Sequence, residues 1–310
     1  MVAPSVEHAA PRPALLAGLR SWRAAIPTVA LGIAFVALFM APFAGLVHEW
    51  WSDPDAGHGL LLFPVGIWLA WRSGIAPDAR PDVRAGLTLL VAAVLLRALG
   101  SVAAELFTQR LSIWLAGLAL VVYFAGWVQV RRWWLPMILL PLAIPLPAIV
   151  TNLLALPLQF RASQLATAMI RWRHMPVLTT GNVINLPPNW AIGFPGQQLF
   201  VAEACSGLRS LTALLSLGVL IGGLYLRAWP SRLLLVMLAI PVAVVVNAIR
   251  IFMTAFLVYF VDPSWGAGAL HRNAGWVMFS IAFVVLGAIA ALMRWVGDRV
   301  QLARAARSSP

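Results

Sequence analysis

A chain of 310 residues that is 62% hydrophobic and only 10% charged is not a soluble domain, which carries about 25% charged residues. Its formal charge of +12 is carried entirely by arginine, with no lysine. The arginines lie in short stretches between apolar runs and not among stacking aromatics, so nucleic acid is excluded as the partner. The one cysteine, Cys205, excludes an internal disulfide and a thiolate zinc cluster.

In chain order, residues 1–25 read as a Pro/Ala-rich, basic, retained tail, because no small-residue cleavage site follows an apolar core. Eight apolar spans follow, at about 26–47, 58–72, 86–104, 111–130, 133–151, 206–226, 232–260 and 273–294, most close to the roughly 20 residues that cross a hydrocarbon core. Runs such as "LTLLVAAVLLRALG" do not alternate, which excludes a β-barrel. Lipid tolerates neither exposed loops nor open sheet edges, so the predicted class is an all-α polytopic membrane protein. One outer segment, about 152–205, is too long and polar for a simple loop. Its first half, with Arg161, Gln164, Arg171 and Arg173, predicts an interfacial amphipathic helix over 152–174. Its second half, β-prone and broken by Pro187–Pro188 and Pro195–Gly196, predicts a small irregular hairpin. Residues 26–295 thus form one membrane domain with an outer insertion, and 296–310 form a C-terminal tail.

Arginine placement orients the spans. With the N-terminus in the cytoplasm, fourteen of the 22 arginines lie inside, including Arg131–Arg132, Arg227, Arg232 and the tail residues Arg294, Arg299, Arg304 and Arg307. The outer connections hold Glu49, Asp53, Asp55, Glu105 and Asp262, with Arg110 and Arg272. This is the positive-inside bias, and it predicts both termini in the cytoplasm. A crossing at 152–174 would put Arg227, Arg232 and the four-arginine tail outside, against the same rule.

Helical rise then brings three reactive side chains to one depth. Cys205 is 22 residues before Arg227, Arg250 is 18 after Arg232 and His271 is 23 before Arg294, or about 33, 27 and 34 Å from the inner boundary. With a hydrocarbon core of about 30 Å, all three fall near the outer boundary on different spans. Each alone has a plain structural role as packing cysteine, snorkelling arginine or solvated histidine; their shared depth is what suggests a site. Cys205 begins a span, where the helix dipole and neighbouring guanidinium groups favour thiolate. Arg250 can hold an oxyanion or substrate carboxylate through its fork of donors, and His271 can pass a proton. Arg209, four residues after Cys205, shares its helix face, and Asn247 is placed to orient Arg250. Glu203 reads either as an ion-pair partner or as a solvated carboxylate.

These residues sit in motifs that resemble the exosortase family, of the A-type branch: "EACSGLRS" around Cys205, "NAIRI" around Arg250 and "HRNAGW" from His271, with "HGLLLFP" at His58–Pro64 and "GNVINLP" further upstream of the cysteine. The resemblance extends over about residues 26–295. It implies a transpeptidase of the bacterial inner membrane with nucleophile Cys205, oxyanion-stabilising Arg250 and acid/base His271, facing the periplasm. It implies exported substrates with a C-terminal PEP-CTERM signal (a Pro-Glu-Pro motif, a transmembrane helix and an arginine-rich end) and a link to exopolysaccharide production. Arg209 or Arg272 is then expected to receive the glutamate of that signal, and membrane lipids are the other partner. No metal or cofactor is expected, and nothing in the sequence specifies an oligomeric state. The alternative is a non-enzymatic component of polysaccharide export or a small-molecule transporter, for which Arg97 inside the third span is the best feature. A quinone or haem site is weaker, since no two histidines pair at i, i+4 within a span.

Overall fold

Non-alternating apolar runs can satisfy their backbone in lipid only by closing i to i+4 hydrogen bonds, and the fold is correspondingly helical. The computed structural model describes residues 14–53, 56–181, 183–190, 194–200, 207–262 and 268–308. Its elements are α1 (Ala14–Ser52), α2 (Gly59–Ser73), α3 (Val83–Val102), α4 (Leu106–Arg132), α5 (Trp134–Leu142), α6 (Ala148–Trp172), β1 (Leu178–Thr180), β2 (Val183–Leu186), β3 (Gln197–Phe200), α7 (Gly207–Tyr225), α8 (Trp229–Phe260) and α9 (Gly268–Ser308). The chain divides into two units, Met1–Gly45 and Leu46–Pro310. The first holds most of α1, with a Phe35–Phe39 ring pair one helical turn apart; the second holds everything below. Where the sequence predicts eight spans, five stretches among the described residues are long and apolar enough to cross a membrane: Gly32–Ser52, Val83–Val102, Leu106–Arg132, Trp229–Phe260 and Val277–Leu302. Gly59–Ser73 and Leu211–Tyr225 are apolar but shorter.

The predicted fifth span, 133–151, is not one helix. It breaks after Leu142 and resumes at Ala148, across Pro141, Pro145 and Pro147, and missing N–H groups explain why. Pro141 lacks the N–H that would close on the Met137 carbonyl, and Pro147 lacks the one that would close on Ala143. Side chains replace them: Trp114 Nε1 donates to the Met137 oxygen at 3.0 Å, and Trp50 Nε1 donates to the Ala143 oxygen at 2.8 Å. Within the same break, His58 Nε2 lies 3.3 Å from the Leu142 oxygen. The interruption is tolerated because Ala143 and Ile144 are buried in protein and the Leu142 and Ala143 carbonyls meet side-chain donors.

Helix α6 also departs from the expected interfacial helix. Ala155, Leu158 and Gln159 line one cleft with Ala243, Val244 and Asn247 of α8. Further along, Ala162, Ala166 and Ile170 pack against Ala248, Ile251, Ala255 and Val258. Both helices advance fifteen residues over this contact, so α6 runs alongside α8 in the same direction instead of lying across the bundle. Small residues on this stripe allow the close approach. At the other end, the Trp134 ring of α5 meets the Trp229 ring at 4.7 Å and carries the Arg232 guanidinium 4.4 Å from its centroid. The α5–break–α6 passage thus runs alongside α8 from its start to its end.

Where a hairpin is predicted, three short strands form an antiparallel sheet in the order β1-β2-β3, with Thr180 opposite Val183 and Val183 opposite Phe200. Period-2 alternation buries Ile184 and Leu186 of β2, in one core with the α6 and α8 residues above. Asn189 Nδ2 donates to the Tyr259 oxygen at 2.9 Å, tying the insertion to the last turn of α8.

The α3–α4 hairpin is tightly paired. A Cβ at Gly86 would lie 2.5 Å from Tyr123 Cα, so only glycine lets these backbones approach. Glu105 caps α4 by accepting the N–H groups of Phe107 and Thr108, and the Arg110 guanidinium pairs with the Glu49 carboxylate. Within α4, Gly126 adopts φ 73°, and a Cβ there would sit 2.1 Å from the Arg80 carbonyl oxygen. Gly126→Ala combines left-handed strain with a backbone overlap. Each cost is of order 1–3 kcal/mol, and the substitution is expected to lower the unfolding midpoint of the detergent-solubilised protein by several degrees.

Candidate active site

Helices α7, α8 and α9 pack side by side, and their mutual register is set by glycines. A Cβ at Gly222 of α7 would contact Arg232 Cα of α8 at 3.6 Å, and one at Gly218 would contact Val236 Cα at 3.4 Å. Leu211 then lines a cleft with Ala243 and Asn247. Continued outward, this antiparallel register brings Gly207, the first residue of α7, level with Asn247, and the backbone of Arg250 lies about 4.5 Å further out, three residues at helical rise. Gly218 also faces Leu286 of α9 at 3.7 Å. Counting back along parallel α7 and α9 sets Gly207 level with Gly275, and the backbone of His271 about 6 Å further out, four residues at helical rise. The packed interior below is formed by Leu211, Leu214, Leu217 and Ile221 of α7, Leu235, Ala239 and Val246 of α8, and Ala282, Leu286 and Ala290 of α9.

Arg250 lies in the uninterrupted helix α8 and is half-buried. Its Nε is fully buried and has no hydrogen-bond partner among the described residues. Asn247 is buried one turn earlier and makes no hydrogen bond to Arg250 among the described residues; it faces the cleft with Gln159 and Leu211 instead. Arg209 lies in the first turn of α7, and His271 and Arg272 lie in the first turn of α9, with their side chains outside the described residues. Cys205 and Glu203 also lie outside the described residues, next to β3 on one side and α7 on the other.

Two residues outside the expected set occupy defined positions. Gln159 is only 5% exposed, and its Oε1 has no hydrogen-bond partner among the described residues. The sequence signal for it was available: a glutamine on the face of α6 that carries the small or apolar Ala155, Ala162, Ala166 and Ile170, together with buried Ser163 and Thr167. His58 and Gly59, the His-Gly pair of "HGLLLFP", do not line this cleft. They support the α5–α6 break. A Cβ at Gly59 would fall 2.1 Å from Trp50 Nε1, so glycine is what lets the indole lie flat and reach the Ala143 carbonyl. Gly59→Ala is expected to displace Trp50 and destabilise the protein by about 1–3 kcal/mol as an overpacking change. Trp50→Phe, which keeps an aromatic ring but removes the donor and part of the buried volume, should cost at least the roughly 1–3 kcal/mol of the orphaned carbonyl, with a cavity contribution added. Thermal unfolding of both variants in detergent checks this. Arg97, the feature favouring a transporter, belongs to the α3–α4 hairpin and bonds the Ser101 hydroxyl one turn along its own helix.

A broken two-piece passage, a small sheet over one end of the bundle and three helices in register around a partly buried arginine define a multi-pass membrane protein with a candidate site at that end. Residues 50–288 match the family model described as Transmembrane exosortase (Exosortase_EpsH), and the chain belongs to that family. No curated protein and no solved structure matches.

Proposed function

We propose that this chain is a thiol-dependent transpeptidase of the bacterial inner membrane, acting at its periplasmic face with Cys205 as nucleophile, Arg250 as oxyanion stabiliser and His271 as acid/base. The observation that supports this is the register of α7, α8 and α9, which sets Gly207 level with Asn247 and Gly275, and the backbones of Arg250 and His271 both about one helical turn further out. The Cys205 thiolate attacks the scissile carbonyl, and the carbonyl π electrons move onto oxygen, where the Arg250 guanidinium receives the charge. The tetrahedral intermediate collapses to a thioester as the C–N bond breaks, and His271 gives a proton to the departing amine. An acceptor amine or hydroxyl then attacks the thioester, loses its proton to His271 and regenerates the thiolate; water in its place gives hydrolysis.

The substrates on this reading are exported proteins that end in a PEP-CTERM signal, released from their membrane anchor by the cleavage, in cells that make exopolysaccharide. The experiment is the intact mass of a co-expressed exported protein with that signal. In the presence of this chain it should lose the mass of its C-terminal helix and basic end. An unchanged mass across several such candidates would contradict the reading.

A further inference from the structure

Among the described residues, three buried side-chain atoms lack a hydrogen-bond partner: Arg97 Nε, Gln159 Oε1 and Arg250 Nε. Arg97 stands apart, its guanidinium already bonded to Ser101 on its own helix. The other two are an acceptor on α6 and a donor on α8, and these helices run side by side. Gln159 shares a cleft with Asn247, one turn before Arg250. Helical side chains lean toward the N-terminus of their own helix, so Arg250 leans back over the turn of Asn247, toward the level of Gln159. A leucine at 159 would continue the apolar stripe of α6 without leaving a polar atom unpaired, so a buried carboxamide here needs a partner to offset its desolvation.

We propose that Gln159 is a positioning residue for Arg250: its Oε1 is joined to the Nε–H through one water in the cleft, which donates to Oε1 and accepts from Nε–H, and this fixes the plane of the guanidinium. Nη1 and Nη2 are then left for the carbonyl oxygen of the substrate. This rests on the transpeptidase reading above, in which Arg250 meets the developing oxyanion. A guanidinium free to rotate about its long stem presents its fork in the productive plane for only part of the time, so the cost of losing Gln159 falls on turnover and not on substrate capture.

The test uses the full chain in detergent micelles with a synthetic peptide carrying a Pro-Glu-Pro segment and the apolar helix that follows it. Gln159→Leu should lower kcat about ten- to a hundred-fold, as expected for a misoriented catalytic group, with KM changed less than about two-fold. Gln159→Glu keeps an acceptor but gains a charge that neutralises the guanidinium when ionised. Its kcat relative to wild type should fall as pH rises through the titration of the new carboxyl, while the same ratio for Gln159→Leu stays flat. A Gln159→Leu kcat equal to wild type, or a flat ratio for Gln159→Glu, overturns the proposal. If Gln159→Leu does not accumulate, the pH profile of Gln159→Glu decides alone. Cys205→Ala runs alongside. If it is inactive while Gln159→Leu turns over normally, only the role of Gln159 fails; if it is active, the transpeptidase reading fails and the role of Gln159 with it.

Discussion

Cys205→Ala should abolish substrate processing while leaving the amount of protein in the membrane unchanged. The expected fall is on the order of 10⁴-fold or more, because removing a nucleophile leaves only what binding and the oxyanion site contribute. Cys205→Ser should be nearly as inactive. A hydroxyl has no accessible anionic form at neutral pH, whereas a thiol near a helix start and guanidinium groups does. In sequence the residue lies two positions before α7 begins at Gly207, and a helix start is where the dipole favours the anionic form of a thiol. Quantifying processed and unprocessed substrate by mass, in cells with no other exosortase, checks the prediction.

Arg250→Gln should lower turnover by about 10²–10³-fold, the usual cost of deleting an oxyanion donor. Arg250→Lys should recover only part of this, since an ammonium keeps the charge but not the two-pronged fork. What separates this prediction from simple damage is its sign on stability. A half-buried arginine deep in an apolar helix costs up to about 2.5–3.5 kcal/mol on insertion scales. No protein atom among the described residues bonds its Nε directly, and a water-mediated link to Gln159 offsets only part of that cost. Arg250→Gln should therefore unfold at the same temperature as wild type or higher while losing activity. A variant that loses both together would mark Arg250 as structural.

Much of the helical framework is legible from composition and arginine placement, because lipid leaves a span few alternatives. The break at 143–147 is not legible from hydropathy. "LPLAIPLP" is apolar throughout, and it is broken by missing N–H groups, whose loss is compensated from Trp50, His58 and Trp114, far away in sequence. The same long-range pairing hides the role of His58 and Gly59, which read as a motif without a mechanism until Trp50 is seen lying over the glycine. Helix α6 misleads for a related reason. Its arginines suggest an interfacial helix, but its small residues are spaced to pack along α8, and spacing decides the contact. The glycine register of α7, α8 and α9 sets Gly207, Asn247 and Gly275 level, with the backbones of Arg250 and His271 about one turn further out. Gln159 escapes because one polar residue in a helix expected to lie at the interface draws no attention until its burial is known.

The central claim is that Cys205 becomes acylated. The most direct measurement is intact-protein and peptide mass analysis of the purified chain, quenched in acid during turnover of a PEP-CTERM substrate. The account predicts an added mass equal to the acyl portion of the substrate on the peptide containing Cys205. The adduct should be removed by hydroxylamine, as a thioester is, and be absent from Cys205→Ala. Substrate cleavage at the wild-type rate by Cys205→Ala, with no acylated species in either protein, would contradict it.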